Sequence, residues 1–247
     1  MISFLTNFGF AILQFIPSVW NYIQEWRRFK QPAGIVLDQL ISNKQCLRIF
    51  VKDLIVPENT FTNPKLFSIE GNIQQANPNI EKVWPEVEGK GVGLLQNLLG
   101  QLGKKEKIEI VEMSKGYDLW DENFIILGAQ AMKCREYYNI MDKVGYYMDE
   151  QAILDKDTQK PISMEKGYGY GLVIKAEKGA LRTKKHTGIL LGGFGTLGTA
   201  AAIYYFVNSV HKLGKEFGKK PFSLVVRARI NSGPQSVTRI SKLDKIF

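Results

Sequence analysis

The 247-residue chain carries only two cysteines, Cys46 and Cys134, and two histidines, His186 and His211. Two isolated cysteines make neither a disulfide framework nor a metal-ligand spacing, so both are expected as buried free thiols in a reducing compartment. Two histidines are too few for a His-based zinc site or a hydrolytic triad, and no metal is expected. Charge is missing from two long stretches, residues 1–24 and the segment between His186 and His211. No internal repeat or low-complexity segment stands out. The lysines and arginines that give the formal net charge of +9 are scattered along the chain. That balance calls for an anionic small molecule or membrane surface and gives no sign of a nucleic-acid groove.

What is present centres on Thr187–Lys212, TGILLGGFGTLGTAAAIYYFVNSVHK. An apolar run through Leu191 reads as a strand, Gly192-Gly193-Phe194-Gly195-Thr196-Leu197-Gly198 as a turn, and Ala200–Val210 as a helix. Gly193, Gly195 and Gly198 have the spacing G-x-G-x-x-G, which gains meaning between a strand and a helix. Glycines let the backbone approach a ligand, and the helix start offers free N–H groups and the positive dipole end to a phosphate. Thr196 adds a hydroxyl. Two other readings are a purely structural tight turn and, because charge is absent, a transmembrane helix. A full dinucleotide fingerprint also needs an acid at the end of the next strand. That strand ends in Arg227 and Arg229, which disfavours an NAD dehydrogenase and makes Arg227 a candidate for a second phosphate.

The run Gly192-Gly193-Phe194-Gly195-Thr196 resembles the G-G-x-G-T motif of the LOG-like, SLOG superfamily of Rossmann-like nucleotide-binding proteins. The resemblance covers this motif and the strand–turn–helix around it. Enzymes of that group carry a proline before the motif and a catalytic glutamate three residues after the threonine; this chain has Leu191 and Thr199 there. The resemblance therefore implies the sensor branch, which binds nucleotide-derived signals, with no catalytic residue assigned.

Residues 1–24 are long enough to cross a bilayer as a helix. Arg27, Arg28 and Lys30 follow at once, so the positive-inside rule puts the main domain in the cytoplasm. Asn7, Gln14 and Asn21 recur every seven residues with Ser18 beside them. They form one polar stripe suited to helix–helix contact and a homo-oligomer, or to a wet lumen. A helix lying flat on the membrane, or a soluble helix packed on the domain, is also compatible with this pattern.

The rest of the chain alternates between strand and helix signals. Strands are expected at 46–56, 107–113, 123–128, within 143–175 and at 222–230, and helices at 89–103 and 129–139. Gly128 and Gln130 follow an apolar strand, where open α/β sheets bind ligands. Tyr168 and Tyr170 could stack a base, and Lys175 could reach a phosphate. The expected fold is α/β: an open three-layer Rossmann-like domain with a largely parallel sheet, preceded by an N-terminal hydrophobic helix. Residues 1–30 form that membrane-anchoring helix, 31–44 a linker and 45–247 the Rossmann-like domain. The expected function is a membrane-anchored cytoplasmic sensor of a nucleotide-type small molecule. It would act through oligomerisation of its first helix, by analogy with membrane-disrupting antiviral defence proteins. Its ligand set is Gly192, Gly193, Gly195, Thr196, Gly198, Gly128, Gln130 and Arg227. No cofactor is expected beyond a nucleotide or nucleotide-sugar ligand. A nucleotide-processing enzyme of the N-glycoside hydrolase type, and an interaction module without a small ligand, are the alternatives.

Overall fold

The computed structural model describes residues 21, 23–42, 46–51, 54–55, 82–83, 86–104, 107–112, 123–128, 145–149, 152–177, 186–240 and 245–246. After a π-helical turn, Trp26–Lys30, come α1 (Gln31–Val36) and α2 (Asp38–Ser42). Strand β1 (Leu47–Val51) follows, then the short strands β2 (Leu54–Ile55) and β3 (Lys82–Val83), helix α3 (Glu86–Gln101) and strand β4 (Ile108–Glu112). Next are β5 (Phe124–Leu127), β6 (Tyr146–Met148), β7 (Ile153–Asp155), β8 (Tyr168–Glu177) and β9 (Thr187–Gly193). Helix α4 (Gly195–Phe217), β10 (Phe222–Arg229), β11 (Thr238–Arg239) and β12 (Lys245–Ile246) complete the order.

The main sheet has the order β11-β10-β8-β9-β5-β1-β4, with β12 also on β10. The fold is α/β, as expected, and the sheet is mixed. Strands β4, β1, β5 and β9 are mutually parallel, and β10 points the same way; β8, β11 and β12 oppose them. The antiparallel β8 lies between β9 and β10, so the β9–α4–β10 unit straddles a strand. Strands β5 and β9 are buried along their whole length. Their uninterrupted apolar sequences reflect a sheet covered on both faces.

Strand alternation separates two apolar layers. Leu47, Ile49 and Val51 of β1, Ile125 and Leu127 of β5, and Ile189 and Leu191 of β9 face all the described α-helices. Phe50, Phe124, Ile126 and Leu190 point to the opposite face, where Tyr146 and Ile153 of the β6–β7 hairpin cover them. Helix α4 buries Ala202, Phe206, Val210, Leu213 and Phe217, a stripe at steps of three and four. The Phe217 ring stacks on Phe222 with centroids 4.7 Å apart.

The N-terminal expectations meet the structure only in part. Residues 1–20, with Asn7, Gln14 and Ser18, lie outside the described residues; Asn21 is helical and exposed. No helix among the described residues is long and apolar enough to cross a membrane. The stretch read as a linker packs into the core: Ala33 and Leu37 are fully buried, and Leu40 nearly so. The backbone of Pro32 presses so closely on Gly214 that no side chain fits there. The charge-free stretch after His186 is a buried strand and a sheet-packed helix rather than a membrane span.

Candidate functional site

The carboxyl ends of the adjacent parallel strands β5 and β9 meet at Gly128 and Gly192. Leu127 pairs with Leu191, and the Gly128 N–H donates to the Leu191 carbonyl at 2.9 Å. Gly128 has φ +88°, a backbone conformation that glycine adopts without strain. Helix α3 begins at the same end of the sheet. Its Glu88 is 5% exposed, and a β-carbon on Gly128 would collide with that carboxylate. A buried carboxylate thus lies against the strand ends.

The turn after β9 is fixed from β8. The Phe194 N–H donates to the Tyr170 carbonyl at 2.9 Å. Gly198 sits directly on that carbonyl and on Gly193, so the first turn of α4 rests backbone on backbone. The Thr199 hydroxyl donates inward to the Gly193 carbonyl at 3.4 Å, and Thr199 is buried. Gly195 and Thr196 are exposed, and nothing lies within 4 Å of where a Gly195 side chain would start. Phe194 supplies no side-chain cap to the helix. The amino end of a 23-residue helix therefore faces outward, where N–H groups and the dipole attract an anion.

A groove of about 260 Å³ opens beside this turn, between α3 and α4. Val87, Leu94 and Ile203 make its apolar floor; Thr196, Tyr204 and Lys90 supply polar groups. The lining recurs at helical spacing on both helices, Glu86–Lys90–Leu94 and Thr196–Ala200–Tyr204, one face of each. Lys90 pairs with Glu86 across one turn, and this ammonium holds the Glu86 carboxyl below the usual carboxylate range.

No family profile, no curated protein and no solved structure matches the chain.

Of the residues expected at the site, Gly128, Gly192, Gly193, Gly195, Thr196 and Gly198 come together at one end of the sheet. Gln130 lies outside the described residues. Arg227 does not join them. It projects from the sheet face opposite α4, bonded to Glu165, with its guanidinium 4.4 Å from the centre of the Tyr168 ring. Its pKa is raised above the ordinary arginine value, mainly by the hydrogen bond to Glu165. Tyr170 is buried on that same face, its hydroxyl accepting from the Glu165 N–H at 2.6 Å. Lys175 lies opposite Ile189, four residues down the strand from Gly193. It is buried and donates to the Lys219 carbonyl at 2.6 Å.

The alternation of β10 carries the signal for Arg227. Phe222, Leu224, Val226 and Ala228 are in phase on the helix face, so Arg227 is out of phase with them. Lys90 and Tyr204 belong to no motif. Their signal is a helical face on each of α3 and α4, which the packing of the two helices makes into a wall. Glu88 lies off that face, against Gly128.

Proposed function

We propose that the chain is a membrane-anchored cytoplasmic sensor of a nucleotide-type signal. The signal binds at the amino end of α4, and the protein acts through oligomerisation of its N-terminal segment. One observation carries the ligand reading: the uncapped start of α4 exposes Gly195 and Thr196 at the carboxyl end of the sheet, beside an apolar groove. Phosphate suits the helix start, and a base or sugar suits the groove. The groove, about 260 Å³, falls just below the usual size of small-molecule pockets, roughly 300–1,000 Å³. That volume favours a mononucleotide-sized group over a dinucleotide. Lys90 could exchange Glu86 for the incoming phosphate. The membrane part rests on the uncharged residues 1–24 and the arginines that follow them. The SLOG resemblance of the G-G-x-G-T run agrees with the ligand class.

The test is titration calorimetry against mono-, di- and cyclic nucleotides and ADP-ribose. Thr196→Glu places a carboxylate where the phosphate belongs, while an acid in the first turn suits the helix, so folding is kept and binding is lost. Thr196→Val removes one hydroxyl and weakens binding about 2- to 13-fold, from a typical 0.5–1.5 kcal/mol. A parent protein that binds none of the panel refutes the ligand reading.

A second reading, a nucleotide-processing enzyme, is favoured by Glu88 alone. A buried carboxylate at the strand ends is the group that glycosidic-bond hydrolysis needs as acid or base. Glu88→Gln separates the two readings: hydrolysis disappears if the carboxyl acts chemically, whereas a sensor keeps its binding.

A further inference from the structure

The basic residues that are scattered in the sequence are gathered by the fold. The Phe29 ring lies 5.5 Å from the His211 ring, and the Pro32 backbone presses on Gly214. These contacts hold the π-helical turn against the carboxyl half of α4. Arg27, Arg28 and Lys30 on the turn thereby share one end of the molecule with Lys212, Lys215 and Lys219 on and just after the helix. Lys30 and Lys219 line a common groove with Trp26, and Lys212 and Lys215 act electrostatically on His211. The carboxylates nearby are fewer. Asp38 holds Lys219 at 2.6 Å, Glu25 precedes Trp26, and Glu216 is already held bidentately by Arg239 at 2.8 and 2.9 Å. Complementarity to the helix dipole accounts for lysine near the end of α4. It does not account for three further cations brought there from the start of the chain.

We infer that this surface docks against an anionic lipid bilayer, with Trp26 at the headgroup level. Two features favour a membrane over a nucleic acid. Trp26 is 44% exposed, and an amphipathic indole beside clustered cations is the pattern of interfacial anchoring. The surface also begins at Trp26, two residues after the charge-free stretch 1–24 ends. The choice of lipid as partner therefore rests on the membrane reading above, while the electrostatic contact itself belongs to the folded domain. Its effect is to hold the basic end of α4 on the bilayer, leaving the Gly195–Thr196 end away from it.

The test uses the full chain in flotation with vesicles of phosphatidylcholine alone and of phosphatidylcholine with phosphatidylserine. The parent should bind the anionic vesicles more tightly, and the difference should shrink as salt is raised. Each exposed lysine contributes about fivefold at such a surface, so the Lys212→Gln, Lys215→Gln double variant should bind them about thirtyfold more weakly. Both side chains are exposed, and thermal melting confirms that the fold is kept. Binding to both vesicle types that is equal, salt-resistant and unchanged in the double variant overturns the docking surface and leaves the anchor standing. Salt-reversible binding to anionic vesicles alone supports the surface and removes the anchor. Binding to neither overturns both. A parent that binds single-stranded RNA or duplex DNA more tightly than the anionic vesicles, and loses it in the double variant, assigns the surface to nucleic acid and overturns the proposal.

Discussion

Gly198 rests directly on the carbonyl oxygen of Tyr170, and a methyl group at that position would meet backbone on strand β8. The obstacle is main chain and cannot rotate away. Overpacking of this kind costs about 1–3 kcal/mol, and Gly198→Ala is expected at or above the top of that range in urea unfolding. Gly195 has open space around it but φ +63°, so Gly195→Ala is expected to cost only the backbone strain, about 1 kcal/mol. Equal losses at the two positions would show that close packing does not set the geometry of the turn.

Gly128 combines both effects. Its φ is +88°, and its missing side chain leaves room for Glu88. Gly128→Ala should therefore destabilise through strain and through collision. Shortening Glu88 to alanine removes the collision and leaves the strain, so the second substitution should cost about 1 kcal/mol less in the Glu88→Ala background. A double-mutant cycle by chemical denaturation reads this coupling directly; additive costs would separate the two residues.

His211 is held below the ordinary histidine pKa, first by burial and then by Lys212 and Lys215. On acidification the unfolded chain takes up this proton before the native chain does. Stability therefore rises with pH across that window and falls as pH drops below the usual histidine value of about 6.5. His211→Phe keeps a ring against Phe29 and removes the titration. Its stability between pH 7.5 and 5 should fall less steeply than that of the parent.

Lys175 is pushed below the usual lysine pKa by burial, against the opposing pull of Glu177. Between its folded value and about 10.4 the unfolded chain again holds more protons, so this group adds stability as pH rises through that interval. Lys175→Met removes a buried charge at similar volume. The variant is expected to be at least as stable as the parent at pH 7 and to lose the alkaline rise. Guanidinium melts at pH 7 and 10 measure both effects.

The sequence made the elements legible more fully than their arrangement. The strand–glycine–helix unit at Thr187–Phe217 and the apolar strand at Phe124–Leu127 were readable because glycine spacing and continuous β-branched and leucine runs are local signals. The placement of β8 between β9 and β10 was not, since strand order is decided by pairings between distant residues such as Val173 with Leu191 and with Leu224. The position of Arg227 at a strand end points to the glycine turn, whereas the period of two along β10 puts it on the other face. An acid at a helix start such as Glu88 reads as a solvated dipole partner; its burial against Gly128 comes from tertiary packing and has no local signal.

The two backbone-on-backbone contacts of α4, Gly198 on Tyr170 and Gly214 on Pro32, lie sixteen residues apart on one helix. At 1.5 Å per residue that is a strut of about 24 Å. Side-chain contacts yield by changing rotamer, whereas these two joints have no side chain to yield. Both ends of α4 are thereby tied to neighbouring main chain, one to strand β8 and the other to Pro32 in the segment that leads back toward residue 21.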